Sequence, residues 1–223
     1  MLSENVLGTG FIAQQFSKTE LNNITVYARG VSNTRPISKD DYQRDYRAVV
    51  DYLSTRDISS RLVYISSSDI STYQPYSKYL QHKYQIERLV LQQPNTCILR
   101  VPQVNNKKAP NSLLSTLQTK ISNTEMIVVW SQIKRYPIKI SDVSLCLDHL
   151  ALLHTVSIID ARPKYGLTTD EIVKILDPNY KDIYIVEKKL SLYKGKDVYY
   201  LYDVEPTLKD PKYCTQAILE FMN

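Results

Sequence analysis

Cysteine, glycine and long apolar runs are all scarce in this chain. Its 223 residues include three cysteines, Cys97, Cys146 and Cys214, far apart and without a Cys-x-x-Cys pair. An odd, dispersed set argues against a disulfide framework and against a cysteine zinc site, and a reducing cytoplasm is the simplest home. The longest apolar run is Met126–Trp130, far short of the roughly 18 residues that a membrane span needs. The first residues, Met1-Leu2-Ser3-Glu4-Asn5, lack a basic region followed by an apolar stretch, so they do not read as a secretory signal. No basic stripe is visible either. The formal charge is +5, but the basic residues are scattered, and Lys107-Lys108 and Lys188-Lys189 are no more than pairs. That argues against nucleic acid and suits an anionic small molecule such as a nucleotide or sugar nucleotide. His82, His149 and His154 have no metal-like arrangement with Asp or Glu, so no metal is expected. His82 is expected to be solvated on its helix, and His149 to lie on a helix surface.

What is present is an ordinary globular composition, 43% hydrophobic and 23% charged, long enough for one core with a small lobe. Strands and helices alternate. Asn5-Val6-Leu7 reads as a strand, and Phe11, Ile12 and Phe16 follow helical spacing. Ile24–Ala28 reads as a strand. Ser38 with Asp41 is a capping box opening a helix over about Lys39–Ser54, with Tyr42, Tyr46, Val49, Val50 and Leu53 as its apolar face. Leu62–Ile65 is a strand running into Ser66-Ser67-Ser68. A helix follows from Pro75 to about Gln92, then a strand Thr96–Val101 ended by Pro102. Later come helices after Pro110, after Ser141 and after the Thr168/Glu171 capping box, short strands at Met126–Trp130, Val156–Ile159, Ile183–Val186 and Val198–Tyr202, and a last helix near Thr215–Met222. Such alternation argues for an α/β fold with a mostly parallel sheet.

Two of the five glycines fall in Gly8-x-Gly10-x-x-Ala13, between the first strand and the first helix. The first glycine makes a tight turn, the second lets the backbone approach a pyrophosphate, and the small third residue lets helix and strand pack. The phosphate would sit at the helix N-terminus. The acidic residue that normally meets the adenosine ribose about 20 residues on is missing; Ala28-Arg29-Gly30 stands there. Arg29 is either the partner of a 2′-phosphate or an ordinary cation at a strand end.

Tyr79 and Lys83 are four residues apart, on one face of a helix. A nearby ammonium favours the phenolate. Moving a phenol from about 10 to about 7 takes roughly 4 kcal/mol, which Lys83 and a nicotinamide cation would share, so that Tyr79 exchanges a proton with a substrate hydroxyl. A serine ending the preceding strand would hold the same oxygen.

Glycine turn, serine-ended strand, Tyr/Lys helix and a strand ending Leu99-Arg100-Val101-Pro102 occur in that order. In this the chain resembles the extended short-chain dehydrogenase/reductases, the NAD(P)-dependent nucleotide-sugar epimerases, dehydratases and reductases. The resemblance also takes in Glu87, Ile138–Val143 and Ile158–Ile175. It implies a reduced Rossmann-type parallel sheet in a single domain, with its core about 1–104 plus 141–160 and a small C-terminal substrate lobe from about 105–140 and 161–223. It implies that Ser68, Tyr79 and Lys83 are catalytic. Gly8, Thr9, Gly10, Phe11, Ile12, Ala28, Arg29, Ser66, Tyr79, Lys83 and Pro102 would bind NAD or NADP, and Ser68 and Gln103 the nucleotide sugar. It further implies polysaccharide or O-antigen precursor synthesis, and a homodimer packed through helices that include Tyr79–Gln92. The segment between the glycine turn and the serines is about half the family's length. Ile24–Thr34 therefore reads alternatively as the family's fourth strand, with Arg29 facing the inner pocket and the adenine-holding wall gone. That shortening leaves two functions open: the enzyme, or a binding or scaffold protein that kept the fold and lost turnover.

Overall fold

The computed structural model describes residues 5–16, 23–32, 38–72, 77–105, 112–139, 141–143, 145, 149, 156–186 and 198–222. Among these, six parallel strands form the central sheet: β1 (Val6–Leu7), β2 (Ile24–Tyr27), β3 (Arg61–Ser67), β4 (Thr96–Val101), β7 (Ile158–Asp160) and β10 (Tyr199–Tyr200), side by side in that order. The register runs Val6↔Val26, Tyr27↔Tyr64, Tyr64↔Ile98 and Leu99↔Ile159. β3 and β4 are nearly continuous apolar runs because both their faces are covered, as parallel sheets require.

Alternate residues build the two sides. Val6, Val26, Val63, Ile65 and Leu99 pack on one face with Ala13 and Phe16 of α1 (Phe11–Phe16) and with Ile138, Val143 and Ala217. Tyr27, Leu62, Tyr64 and Ile98 pack on the other with α2 (Lys39–Thr55) and α4 (Lys78–Leu91). A four-residue helix α3 (Asp69–Thr72) lies between β3 and α4. The connections β1→β2 and β2→β3 step in the same direction across the sheet, yet α1 and α2 lie on opposite faces. They therefore have opposite hands, and one of them departs from the right-handed rule for parallel crossovers.

The expected capping box opens α2: Asp41 N–H donates to Ser38 Oγ at 3.1 Å and Ser38 N–H donates to Asp41 Oδ2 at 3.0 Å. Its inward face differs from the hydrophobic reading. Val49 and Leu53 are buried as expected, but so is Asp45, whereas Tyr46 and Val50 are 40% and 38% exposed. α4 starts at Lys78 with Ser77 as its cap, Leu80 N–H donating to Ser77 Oγ at 3.1 Å.

The C-terminal lobe has its own small core. Leu114 and Leu117 of α5 (Leu113–Ser122), Ile127 and Val129 of β5 (Ile127–Trp130), Ile172 and Val173 of the helix Thr169–Leu176, and Ile218 and Phe221 of the last helix, Tyr213–Met222, pack together. β5 pairs in parallel with β9 (Ile183–Val186), and β6 (Lys134–Arg135) pairs antiparallel with β8 (Leu167–Thr168). The last helix also gives Tyr213, Cys214 and Ala217 to the main core, which ties the lobe to the sheet. Most of the helix expected after Ser141, including Cys146, lies outside the described residues. Among the described residues no helix is long and apolar enough to cross a membrane.

Candidate functional site

Parallel strands all end on one edge, and ligands of open α/β sheets bind beyond those ends. Here the edge gathers the turn after β1, Ala28–Gly30 after β2, Ser67–Ser68 after β3, Pro102–Gln103 after β4 and Asp160–Arg162 at the end of β7.

The turn needs its first glycine. Gly8 has φ +136, and a Cβ there would lie 2.7 Å from the Ala28 carbonyl oxygen and 3.1 Å from Arg29 N. The turn is thus pressed against the end of β2. Gly10 faces open space, with nothing within 4 Å of a built Cβ, and Thr9 beside it is exposed. Phe11 and Ile12 are half-buried, and Ala13, the small third residue, is fully buried against the sheet.

Gly30 continues the path inward. It has φ +140, and a Cβ on it would lie 3.1 Å from Asp45 Oδ1 and 3.5 Å from Lys83 Nζ. Lys83 is buried and donates from Nζ to the Tyr64 hydroxyl at 3.1 Å, its ammonium 5.1 Å from the centre of that ring. Burial lowers the Lys83 pKa, while Asp45 and Glu87 favour the charged form. His82 is not solvated as the sequence suggests. It is buried, and its Nε2 is 2.7 Å from Asp45 Oδ2, with its ring 4.8 Å from that of Tyr42. Asp45 thus serves both His82 and Lys83, which is why this carboxylate turns inward on α2. His149 is half-buried, 3.3 Å from Glu205.

The serines divide their work. Ser68 is buried and donates its hydroxyl to Asp160 Oδ1 at 2.6 Å. Asp160 is itself fully buried; Oδ1 also accepts from the Arg162 backbone N–H at 3.1 Å, and Oδ2 lies 3.7 Å from Arg162 Nε. The Ser67 side chain lies beside the Tyr79 phenol and favours its ionised form. Ser66 is buried, and its Oγ has no hydrogen-bond partner among the described residues. Burial, then the Asp69 and Asp45 carboxylates, push the Tyr79 pKa well above the ordinary tyrosine value, and only Ser67 opposes them. The Lys83 ammonium itself lies against Tyr64.

Pro102 is buried. Gln103 donates from Nε2 to Asp69 Oδ1 at 2.9 Å and accepts from the Tyr136 N–H at 3.0 Å. It clamps the serine loop to the lobe, helped by Arg135, 3.7 Å from Asp69. Beyond it the Arg162 guanidinium lies over the rings of Tyr136 and Tyr200, at 5.3 and 4.8 Å, and donates to the Tyr200 hydroxyl at 2.9 Å. Sequence reasoning missed Asp160, Asp45, Asp69 and Ser67. Only Asp160 carried a usable signal, a carboxylate closing an apolar strand at the ligand edge.

No protein-family model matches the sequence, and no curated protein matches it either. Solved structures do match. The Bordetella bronchiseptica enzyme WbmG, solved in complex with NAD and UDP, superposes with TM-score 0.60 at 14% identity, over 88% of this chain and 70% of that one. dTDP-4-dehydrorhamnose reductase of Bacillus anthracis, in complex with NADP, gives 0.64 at 15% identity over 90% and 80%. UDP-N-acetylglucosamine 4-epimerase of Bacillus cereus gives 0.55 at 15% identity over 98% of both chains. The chain shares the fold of these solved structures.

Within that fold, β2 occupies an inner place. In a complete doubly wound sheet the first strand lies between the second and the fourth. Here β2 sits between β1 and the serine-bearing β3, which is the fourth strand's position. The reading of Ile24–Ala28 as the second strand, with Arg29 on a 2′-phosphate, is therefore corrected: exposed Arg29 ends an inner strand, beside the Gly8 turn. A dinucleotide fits the chain in part. The open cradle at Gly10, the unpartnered Ser66 hydroxyl and Lys83 against Gly30 suit its nicotinamide side.

Proposed function

We propose that this chain is a nicotinamide-dependent epimerase, dehydratase or reductase acting on a nucleotide sugar. The observation that carries the reading is the continuous path from the Gly8–Gly10 turn through Ala28–Gly30 to buried Lys83, on the same sheet edge as the Tyr79–Ser67 pair. NAD or NADP, held by Gly8, Thr9, Gly10, Ala28, Ser66 and Lys83, supplies or accepts hydride when bound.

The residues define the proton chemistry. Tyr79 is held neutral, so it is a donor. It gives its proton to the oxygen of a keto sugar as that oxygen gains charge, while Ser67 holds the same oxygen. This suits ketone reduction, alone or as the second half of an epimerisation. Asp45 and Glu87 favour the charged form of Lys83 beside the ribose position, against the burial that lowers its pKa. Ser68 and Gln103 act one step back, fixing Asp160 and the lobe. The solved complexes with UDP support a nucleotide-sugar substrate, and the family resemblance supports polysaccharide or O-antigen precursor synthesis in the cytoplasm. A homodimer through α2 and α4 is supported by exposed Tyr46 and Val50, beside a groove lined by Tyr46, Gln85, Arg88 and Leu89. Tyr46→Glu then leaves a folded monomer in sedimentation.

The test is turnover of UDP- and dTDP-sugars with NAD(H) or NADP(H). Tyr79→Phe should lose about a hundredfold or more in rate, the scale of general acid catalysis, with nucleotide binding retained. Unchanged turnover removes Tyr79 from the mechanism. A second reading, a binding or scaffold protein, is supported by the raised Tyr79 phenol and the commitment of Ser68 to Asp160. Nucleotide-sugar binding without turnover under any cofactor would establish it.

A further inference from the structure

We infer that the chain holds only the nicotinamide mononucleotide half of its cofactor, so that the adenosine half adds nothing to affinity. The inference rests on the nicotinamide-dependent reading above and narrows its ligand class.

The argument is one of strand order and chain length. A dinucleotide straddles the end of the first strand, one nucleoside on each side of the glycine turn. On the inner side this chain is complete: β2 pairs with β1, its end touches Gly8, and Lys83 and Asp45 lie against Gly30. On the outer side β1 is the edge of the sheet, and among the described residues no strand pairs with that edge. The connection within the chain has no room for one. Residues 17–23 alone separate Phe16 from Ile24, whereas a further strand–helix–strand excursion takes roughly 30 residues. The acidic residue that would take the adenosine ribose is lost with that wall, and the Arg29 that stands at its sequence distance belongs to the inner strand. A 2′-phosphate on adenosine likewise meets no partner at Arg29.

The experiment is titration of the intact protein with reduced nicotinamide mononucleotide, NADH and NADPH, followed by nicotinamide fluorescence, with 5′-AMP as competitor. The expected result is three dissociation constants within about threefold of one another, no displacement by AMP, and an equal weakening of all three, tenfold or more, in Gly10→Asp. NADH binding tenfold or more tighter than the mononucleotide, or displaced by AMP, overturns the inference and leaves the nicotinamide reading standing. Binding of none of the three by a protein whose circular dichroism shows it folded overturns both.

Discussion

Ser68 gives its hydroxyl proton to Asp160 at 2.6 Å, and both side chains are buried at the end of the sheet. The hydroxyl that ends the serine run therefore braces β3 against β7, and the neighbouring Ser67 lies beside the Tyr79 phenol. The two serines should separate on mutation. Ser68→Ala leaves a buried carboxylate one hydrogen bond short and should cost about 1–3 kcal/mol of unfolding free energy, read by urea denaturation. Ser67→Ala should stay within about 0.5 kcal/mol of the parent, as substitutions away from buried features do, yet lose sugar-nucleotide turnover. The reverse pattern would return the catalytic role to Ser68.

Glu87 and Arg100 form a buried, two-point ion pair. Arg100 Nε and Nη2 donate to Glu87 Oε1 and Oε2 at 2.9 and 2.6 Å, and Nη1 donates to Ser71 at 2.8 Å. Removing one partner strands a buried charge. Glu87→Gln or Arg100→Met alone should cost about 3–5 kcal/mol, whereas Glu87→Leu with Arg100→Met together should cost much less than the sum. A double-mutant cycle in urea tests this, and additive losses would count against it.

Four tyrosines make the fold sensitive to alkali. Burial, together with the Asp45 carboxylate, raises the Tyr27 phenol from 10.0 to about 12, and burial leads the upward shifts of Tyr64, Tyr79 and Tyr213. Below pH 10 both folded and unfolded chains keep these phenols neutral. Above it the unfolded chain releases its protons first, so stability falls as pH rises, for Tyr27 between pH 10 and about 12. Urea midpoints measured from pH 8 to 11 should drop beyond pH 10. Tyr27→Phe should flatten part of that drop. It should cost nothing at pH 7, because the Tyr27 hydroxyl is buried without a hydrogen-bond partner among the described residues. A pH-independent midpoint would contradict the shifts.

The element types were legible in the sequence because their causes are local. Alternating apolar strands, the Ser38/Asp41 box and the Gly8 turn each depend on neighbours a few residues away. The inward faces were less so. Asp45 and His82 look like solvent-facing residues on their own helices, and only their mutual approach, 37 residues apart, turns both inward. The bond of Ser68 to Asp160 was hidden for the same reason, since Asp160 arrives from a strand 92 residues on. Strand order was readable only as a pair of alternatives. Periodicity is blind to which edge a strand joins, and pairing of β2 with both β1 and β3 decided it.

The thin attachment of β1 bears on how the molecule breathes. β1 meets the sheet through two ladder residues, with Val26 N–H donating to Asn5 O and Ala28 N–H donating to Leu7 O, each at 2.8 Å, while Phe16 and Ala13 plug α1 into the core from the face opposite α2. Such a flap can detach while β2 to β7 stay zipped, as local openings do at thinly held edges. Backbone amides of Val26 and Ala28 should therefore exchange with deuterium well before those of Tyr64 and Leu99, and saturating mononucleotide should slow them. Phosphate capture at the turn would then double as the latch that fastens the amino-terminal end of the chain.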